Sequence, residues 1–153
     1  MPKYFAAEAA GADLRSPRSI SVSISSRRVD DAVSPIRASK LVGQVTKALR
    51  KSPLKPVSDA TSAELSLEVV VESHEQWGTV HSQNDPYIFF LLRNRADSQS
   101  LYCAYRRVGF SYGSAAKDLL RDLSARMAAA GQPNSGDVAA CTAQAMRPVD
   151  LKL

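Results

Sequence analysis

Aromatic side chains are scarce in this chain of 153 residues, at 7%, and tryptophan occurs once, as Trp77. Histidine occurs only as His74 and His81. Two cysteines are too few for a disulfide-dense scaffold. Seven glycines and eight prolines exclude a collagen-like or proline-rich chain. The longest nearly uncharged apolar run, Tyr87 to Leu92, is far shorter than the roughly 20 residues that span a bilayer. No catalytic motif and no internal repeat stands out. What remains is ordinary for a folded domain: 44% hydrophobic and 23% charged residues. The length suits one domain, on the usual scale of roughly 100–200 residues.

Twenty Lys and Arg against fifteen Asp and Glu give a net charge of +5. That surplus permits a nucleic acid, an anionic lipid or an acidic polysaccharide as partner, and requires none of them. Residues 1–14, MPKYFAAEAAGADL, contain no continuous apolar stretch of a secretory leader and carry Glu8 and Asp13. A cytosolic protein and a mature chain whose leader has been removed both fit that beginning.

Residues 1–18 read as a flexible, extended arm, with turn formers at Gly11 and Pro17. The single domain is expected over 19–153. Ile20, Val22 and Ile24 alternate with serines, as in a strand with one buried face. A helix is predicted from Ser34-Pro35, with Ala38, Val42, Val45 and Leu49 on one face and stopped by Pro53 and Pro56. Leu65, Leu67, Val69 and Val71 form one face of a second strand, in which Val70 breaks the alternation. Residues 74–86 read as a long polar loop. Tyr87 to Leu92 is apolar on both faces, as in a central strand covered on both sides. Leu101 to Phe110 is its hairpin partner. A second helix opens at Gly113-Ser114 and buries Ala116, Leu119, Leu120, Leu123 and Met127. Asp137 is placed to cap a short third helix, Val138 to Met146. The expected fold is α+β, an α/β sandwich in the order β-α-β-β-β-α, with a mostly antiparallel four-stranded sheet. Two main helices cover one face. The arm, the tail or another subunit must cover the other.

Each candidate site has a plainer alternative. His74 and His81, near Glu75 and Asp85, match no metal-ligand spacing and read as polar loop residues, so no metal or cofactor is expected. Cys103 on a strand and Cys141 on the last helix are either a disulfide pinning the tail to the sheet or two separate buried thiols. Ser114 and Lys117 have a Ser-x-x-Lys spacing but lack the companion motifs of the enzymes that use it. Basic clusters lie at Arg15/Arg18, Arg27/Arg28, Lys47 to Lys55 and Arg106/Arg107. Tyr102 and Tyr105 beside Arg106 and Arg107 offer a stacking surface or, as strand aromatics usually do, core. Trp77, an aromatic in a polar loop, suits a partner anchor or a residue folded back on the core.

The strand SISVSI, the helix ASKLVGQVTKALRKS, the entry DATSAELSLEVVVES and the strands YIFFLLRN and SLYCAYRRV together resemble a known pattern. It is that of Gram-negative envelope accessory lipoproteins with a TolB-N-terminal-like or CsgG-like α/β domain. The resemblance spans Ser19 to Ala130 and implies a protein that assembles envelope machinery, often as a ring, without chemistry. The lipidated cysteine and leader of such proteins do not appear in the sequence. A second resemblance, from Ala38 to Ala130, is to a helix-β-β-β-helix double-stranded-RNA-binding domain. Only Lys117, followed by Asp118, stands where that type gathers lysines.

The resulting expectation is a non-enzymatic, homo-oligomeric accessory protein of the periplasm, either free or anchored at the outer membrane in its native form, and of the cytoplasm if no leader exists upstream. Trp77, His81, Arg106 and Arg107 are its expected partner contacts. The partner is another envelope protein or a second copy, with an anionic polysaccharide or lipid surface as a further candidate and nucleic acid less favoured.

Overall fold

The computed structural model describes residues 2–27, 35–71, 86–109, 111–128 and 137–147. The elements are β1 (Tyr4–Glu8), β2 (Arg18–Ser26), α1 (Pro35–Leu49), β3 (Leu54–Pro56) and β4 (Leu65–Val71). They continue with β5 (Tyr87–Asn94), β6 (Ser100–Arg107), α2 (Tyr112–Ala128) and α3 (Val138–Met146). The strands form one sheet in the order β1-β6-β5-β4-β2-β3. β2 runs parallel to both β3 and β4, while β4, β5, β6 and β1 pair antiparallel in turn.

The mixed α/β architecture is as the sequence implies, but the sheet has six described strands rather than four. β3 was masked by its own prolines. Pro53 and Pro56 stop α1 and also tolerate an edge strand, where a missing N–H leaves no ladder bond broken. The residues at the N-terminus are not a flexible arm. Tyr4–Glu8 is the opposite edge strand, and Ala6, Ala7, Ala12 and Leu14 are buried. So short a run shows no clear alternation, yet an edge strand needs only one neighbour. The turn after it uses left-handed backbone at Gly11 (φ 74°) and Asp13 (φ 49°). Arg18 closes that turn by donating to the carbonyls of Ala12 and Asp13 at 2.8 and 2.6 Å.

Strand alternation divides the interior into two layers. Ile20, Leu65, Leu67, Val69, Val71, Ile88, Phe90, Leu92, Tyr102 and Ala104 face α1 and α2. From α1 come Leu41, Val45 and Leu49, and from α2 Ala115, Ala116, Leu119, Leu120, Leu123 and Met127. Val70, the residue that broke the pattern, is buried on the other face with Phe89, Leu91, Cys103 and Tyr105. That face is covered by Val138, Cys141 and Ala145 of α3. The tail therefore supplies the second cover that the two-sided β5 requires. Asp137 caps α3, accepting from the Ala140 N–H at 2.9 Å. A register irregularity at Leu92/Arg93 lets both Leu101 and Tyr102 join the helix-side layer.

Candidate interaction surface

Trp77 and His81, with His74, lie outside the described residues. The other two predicted contacts do not form one patch. Arg106 and Arg107 are successive strand residues, so they point to opposite faces. Arg106 lies on the α2 side, where it pairs with Asp118 at 2.6 Å, and Arg121 reaches the same carboxylate at 3.4 Å. Arg107 lies on the α3 side with Tyr105, and its backbone N–H donates to the Lys3 carbonyl at 2.8 Å. Tyr102 and Tyr105 are core, not a stacking surface. Tyr105 packs on the Phe5 ring at 5.4 Å between centroids.

Cys103 and Cys141 are bonded, their Cα atoms 5.9 Å apart, and the bond ties α3 to β6. Ser114 belongs to the first turn of α2, where its backbone N–H donates to Ser111 Oγ at 3.0 Å. Ser114 and Lys117 are both exposed on that helix. Among the described residues no three His, Cys, Asp or Glu side chains gather as metal ligands, and no helix is long and apolar enough to cross a membrane.

Three arginines are held by backbone carbonyls. Besides Arg18, the Arg95 guanidinium donates to the carbonyl of Ala60. Arg27, buried, donates to the Arg147 carbonyl at 3.1 Å and lies 4.8 Å from the centre of the Phe89 ring. These arginines fasten loops and the tail to the sheet. They therefore do not converge into a phosphate-binding stripe. A different basic group stays outside. Lys40, Lys47, Arg50, Lys51 and Lys55, in α1, the turn after it and β3, are all exposed. Residues 35–57, which hold them, contain no acidic and no aromatic residue.

A second polar group lies at the β1 edge. Tyr102 is buried and its hydroxyl donates to Asp122 Oδ2 at 2.7 Å. Arg126 donates to the same oxygen at 2.8 Å and to Glu8 Oε1 at 3.2 Å. Its guanidinium lies 5.7 Å from the centre of the Tyr102 ring. The group joins α2 to β6 and β1. Its only trace in the sequence is the i,i+4 pair Asp122 and Arg126 on the flank of the leucine stripe. Burial pushes the Tyr102 phenol well above its usual value, and the Asp122 charge and hydrogen bond push the same way. The Tyr4 phenol is raised by burial and then by Asp122. Burial opposes the charge of Arg126, but Asp122 and Glu8 outweigh it and hold the guanidinium protonated. None of these shifts brings a group toward neutrality, where acid–base work is done. The arrangement is a clasp.

The shifts have a consequence for stability. A phenol whose folded value is raised gives stability that is fully present below the unfolded value, near 10, and lost as pH rises toward the folded one. Stability is therefore expected to fall above about pH 10, as the unfolded chain gains phenolate that the native Tyr102 refuses. Phenolate absorbance followed alongside circular dichroism checks this. Tyr102 should ionise only with unfolding, and early ionisation of every tyrosine in a still-folded chain contradicts it.

No protein-family model and no curated protein sequence matches the chain. Solved structures do share its fold. A PelC dodecamer from Paraburkholderia phytofirmans is 18% identical, with a TM-score of 0.53, over 84% of this chain and 99% of that one. A single-substitution variant of it gives 19%, the same TM-score and the same 84%, with all of its own length covered. A DUF4136 family protein from Bacteroides thetaiotaomicron is 13% identical, with a TM-score of 0.53, over 81% of this chain and 92% of that chain. The described sheet, six-stranded with parallel pairs, differs from the helix-β-β-β-helix layout of the RNA-binding resemblance.

Proposed function

We propose that the protein is a non-enzymatic accessory component of the bacterial envelope that acts as a closed assembly of identical copies, serving secretion or transport machinery. The observation that carries this reading is the fold shared along nearly the whole length of a protein that is a dodecamer. Closed rings of identical subunits need only one repeated heterologous contact, which a small domain can supply. The Cys103–Cys141 bond supports an oxidising compartment, here the periplasm, since structural disulfides are rare in the reducing cytosol. Glu8, Tyr102, Asp122 and Arg126, the most closely linked ionisable groups described, hold elements together, which supports a binding role over a catalytic one. Trp77 and His81 remain the proposed partner contacts. Their support is the sequence argument that an aromatic anchored in a polar loop belongs in an interface.

Solution mass tests the assembly. The chain weighs 16.5 kDa, so a dodecamer is expected near roughly 200 kDa and any ring at a clear multiple of the monomer. Light scattering on the eluting species, or native mass spectrometry, reads this directly. A monomer persisting at tens of micromolar concentration would remove the ground for the proposal.

A further inference from the structure

The exposed basic group on α1 and β3 has a geometry that its sequence spacing dictates. Lys47 and Lys51 lie 7 and 11 residues after Lys40, and at 3.6 residues per turn the three fall within about 40° of one another. They lie on the far side of the helix from Val45 and Leu49, which are buried against the sheet. The helical turn persists past Leu49, because the Arg50 N–H still donates to the Thr46 carbonyl at 3.1 Å. The three lysines therefore form a row of about 16 Å along the outer surface of the helix. Arg50 flanks the row. Lys55, on the edge strand, reaches back to the Arg50 carbonyl with its ammonium at 3.1 Å and widens the row at its end.

The helix dipole accounts for only part of this. A dipole is complemented within the last turn, whereas Lys40 lies two turns earlier and Lys55 is on a strand. The composition of residues 35–57 narrows the partner. No carboxylate is present in this segment to neutralise the row, and no aromatic is there to stack a base or a sugar ring. Four of the six cations in residues 35–57 are lysine, a hydrated point charge on a flexible stem. A set so rich in lysine offers few planar forks to read one fixed anion, and it suits many mobile phosphates spread over a plane.

We infer that the outer face of α1 with the β3 edge, carrying Lys40, Lys47, Arg50, Lys51 and Lys55, is a membrane-contact surface for the phosphate headgroups of anionic phospholipid. It lies at the β3 end of the sheet, away from β1 and from α3, which packs on β6, β5 and β1. Contact with lipid thus leaves the opposite edge and the α3 side open to proteins. The inference does not depend on the assembly proposed above, and a chain that proves monomeric tests it equally.

The test is co-sedimentation of the full chain with vesicles of phosphatidylcholine containing about 30% phosphatidylglycerol, at about 0.15 M salt. Binding is expected to these vesicles, to be absent on pure phosphatidylcholine, and to be lost near 1 M salt. Lys47→Gln with Lys51→Gln keeps good helix formers and removes two charges from the row. This double variant is expected to lower the partition coefficient about 10- to 30-fold. Lys3→Gln with Arg121→Gln removes the same net charge elsewhere and is expected to change it less than about threefold. Thermal melts of both variants establish that they are folded. Equal binding to neutral vesicles, equal losses in the two variants, or binding to soluble alginate but not to anionic vesicles would each overturn the assignment.

Discussion

Replacing Cys103 and Cys141 by alanine, or reducing them, is expected to destabilise the protein by about 2–4 kcal/mol. The bond joins residues 38 apart, and opening it returns that loop's freedom to the unfolded chain. The native state loses as well. α3 has nine residues, and so short a helix does not persist in water without tertiary support. Besides the bond, Val138 and Ala145 are its buried anchors. Its release uncovers Phe89, Leu91 and Tyr105, which otherwise form a dry layer. At roughly 2–4 °C per kcal/mol for a chain of this size, the melting temperature is expected to drop by about 5–15 °C under reductant. Amide exchange should quicken first in α3, and the reduced protein should aggregate through the exposed aromatics. A melt that dithiothreitol leaves unchanged would show that the bond does not hold the tail.

Asp122→Ala is expected to cost about 3 kcal/mol, read from urea unfolding. The change removes the acceptor shared by the Tyr102 hydroxyl and the Arg126 guanidinium, both of which remain shielded from water. A buried donor left without its partner costs more than the bond itself contributed. Glu8 would still hold Arg126, but the Tyr102 link from α2 to β6 would be gone. Asp118→Ala is the comparison. It breaks surface pairs with Arg106 of β6 and Arg121 of α2 and is expected to cost less than about 1 kcal/mol. Equal effects of the two substitutions would mean that the clasp is merely another surface pair.

These two features differ in how far the chain announces them. The cysteines were visible, and their positions on a strand and a helix were legible from patterning. Whether they met was not, since alternation tells which face a residue takes and not what lies across from it. The clasp gave almost no signal. Its tyrosine lies on one strand, its acid and base on a helix, and its second acid on a strand that the sequence did not suggest. The split of Arg106 from Arg107 follows from strand alternation alone and so was there to be read. Adjacency in the chain is a poor guide to a shared patch on a strand.

Local periodicity determined the helices, the central strands, the cap at Asp137 and the demand, written in Val70 and Phe89, that both faces of the sheet be covered. Periods of 2 and 3.6 residues are properties of the backbone and survive without any neighbour. The tertiary structure decided that the N-terminal residues and the proline-flanked segment complete the sheet at its two edges, that α3 is the second cover, and which charges are absorbed inside. Those outcomes depend on burial and pairing between distant segments, which the chain acquires only when its layers close on one another.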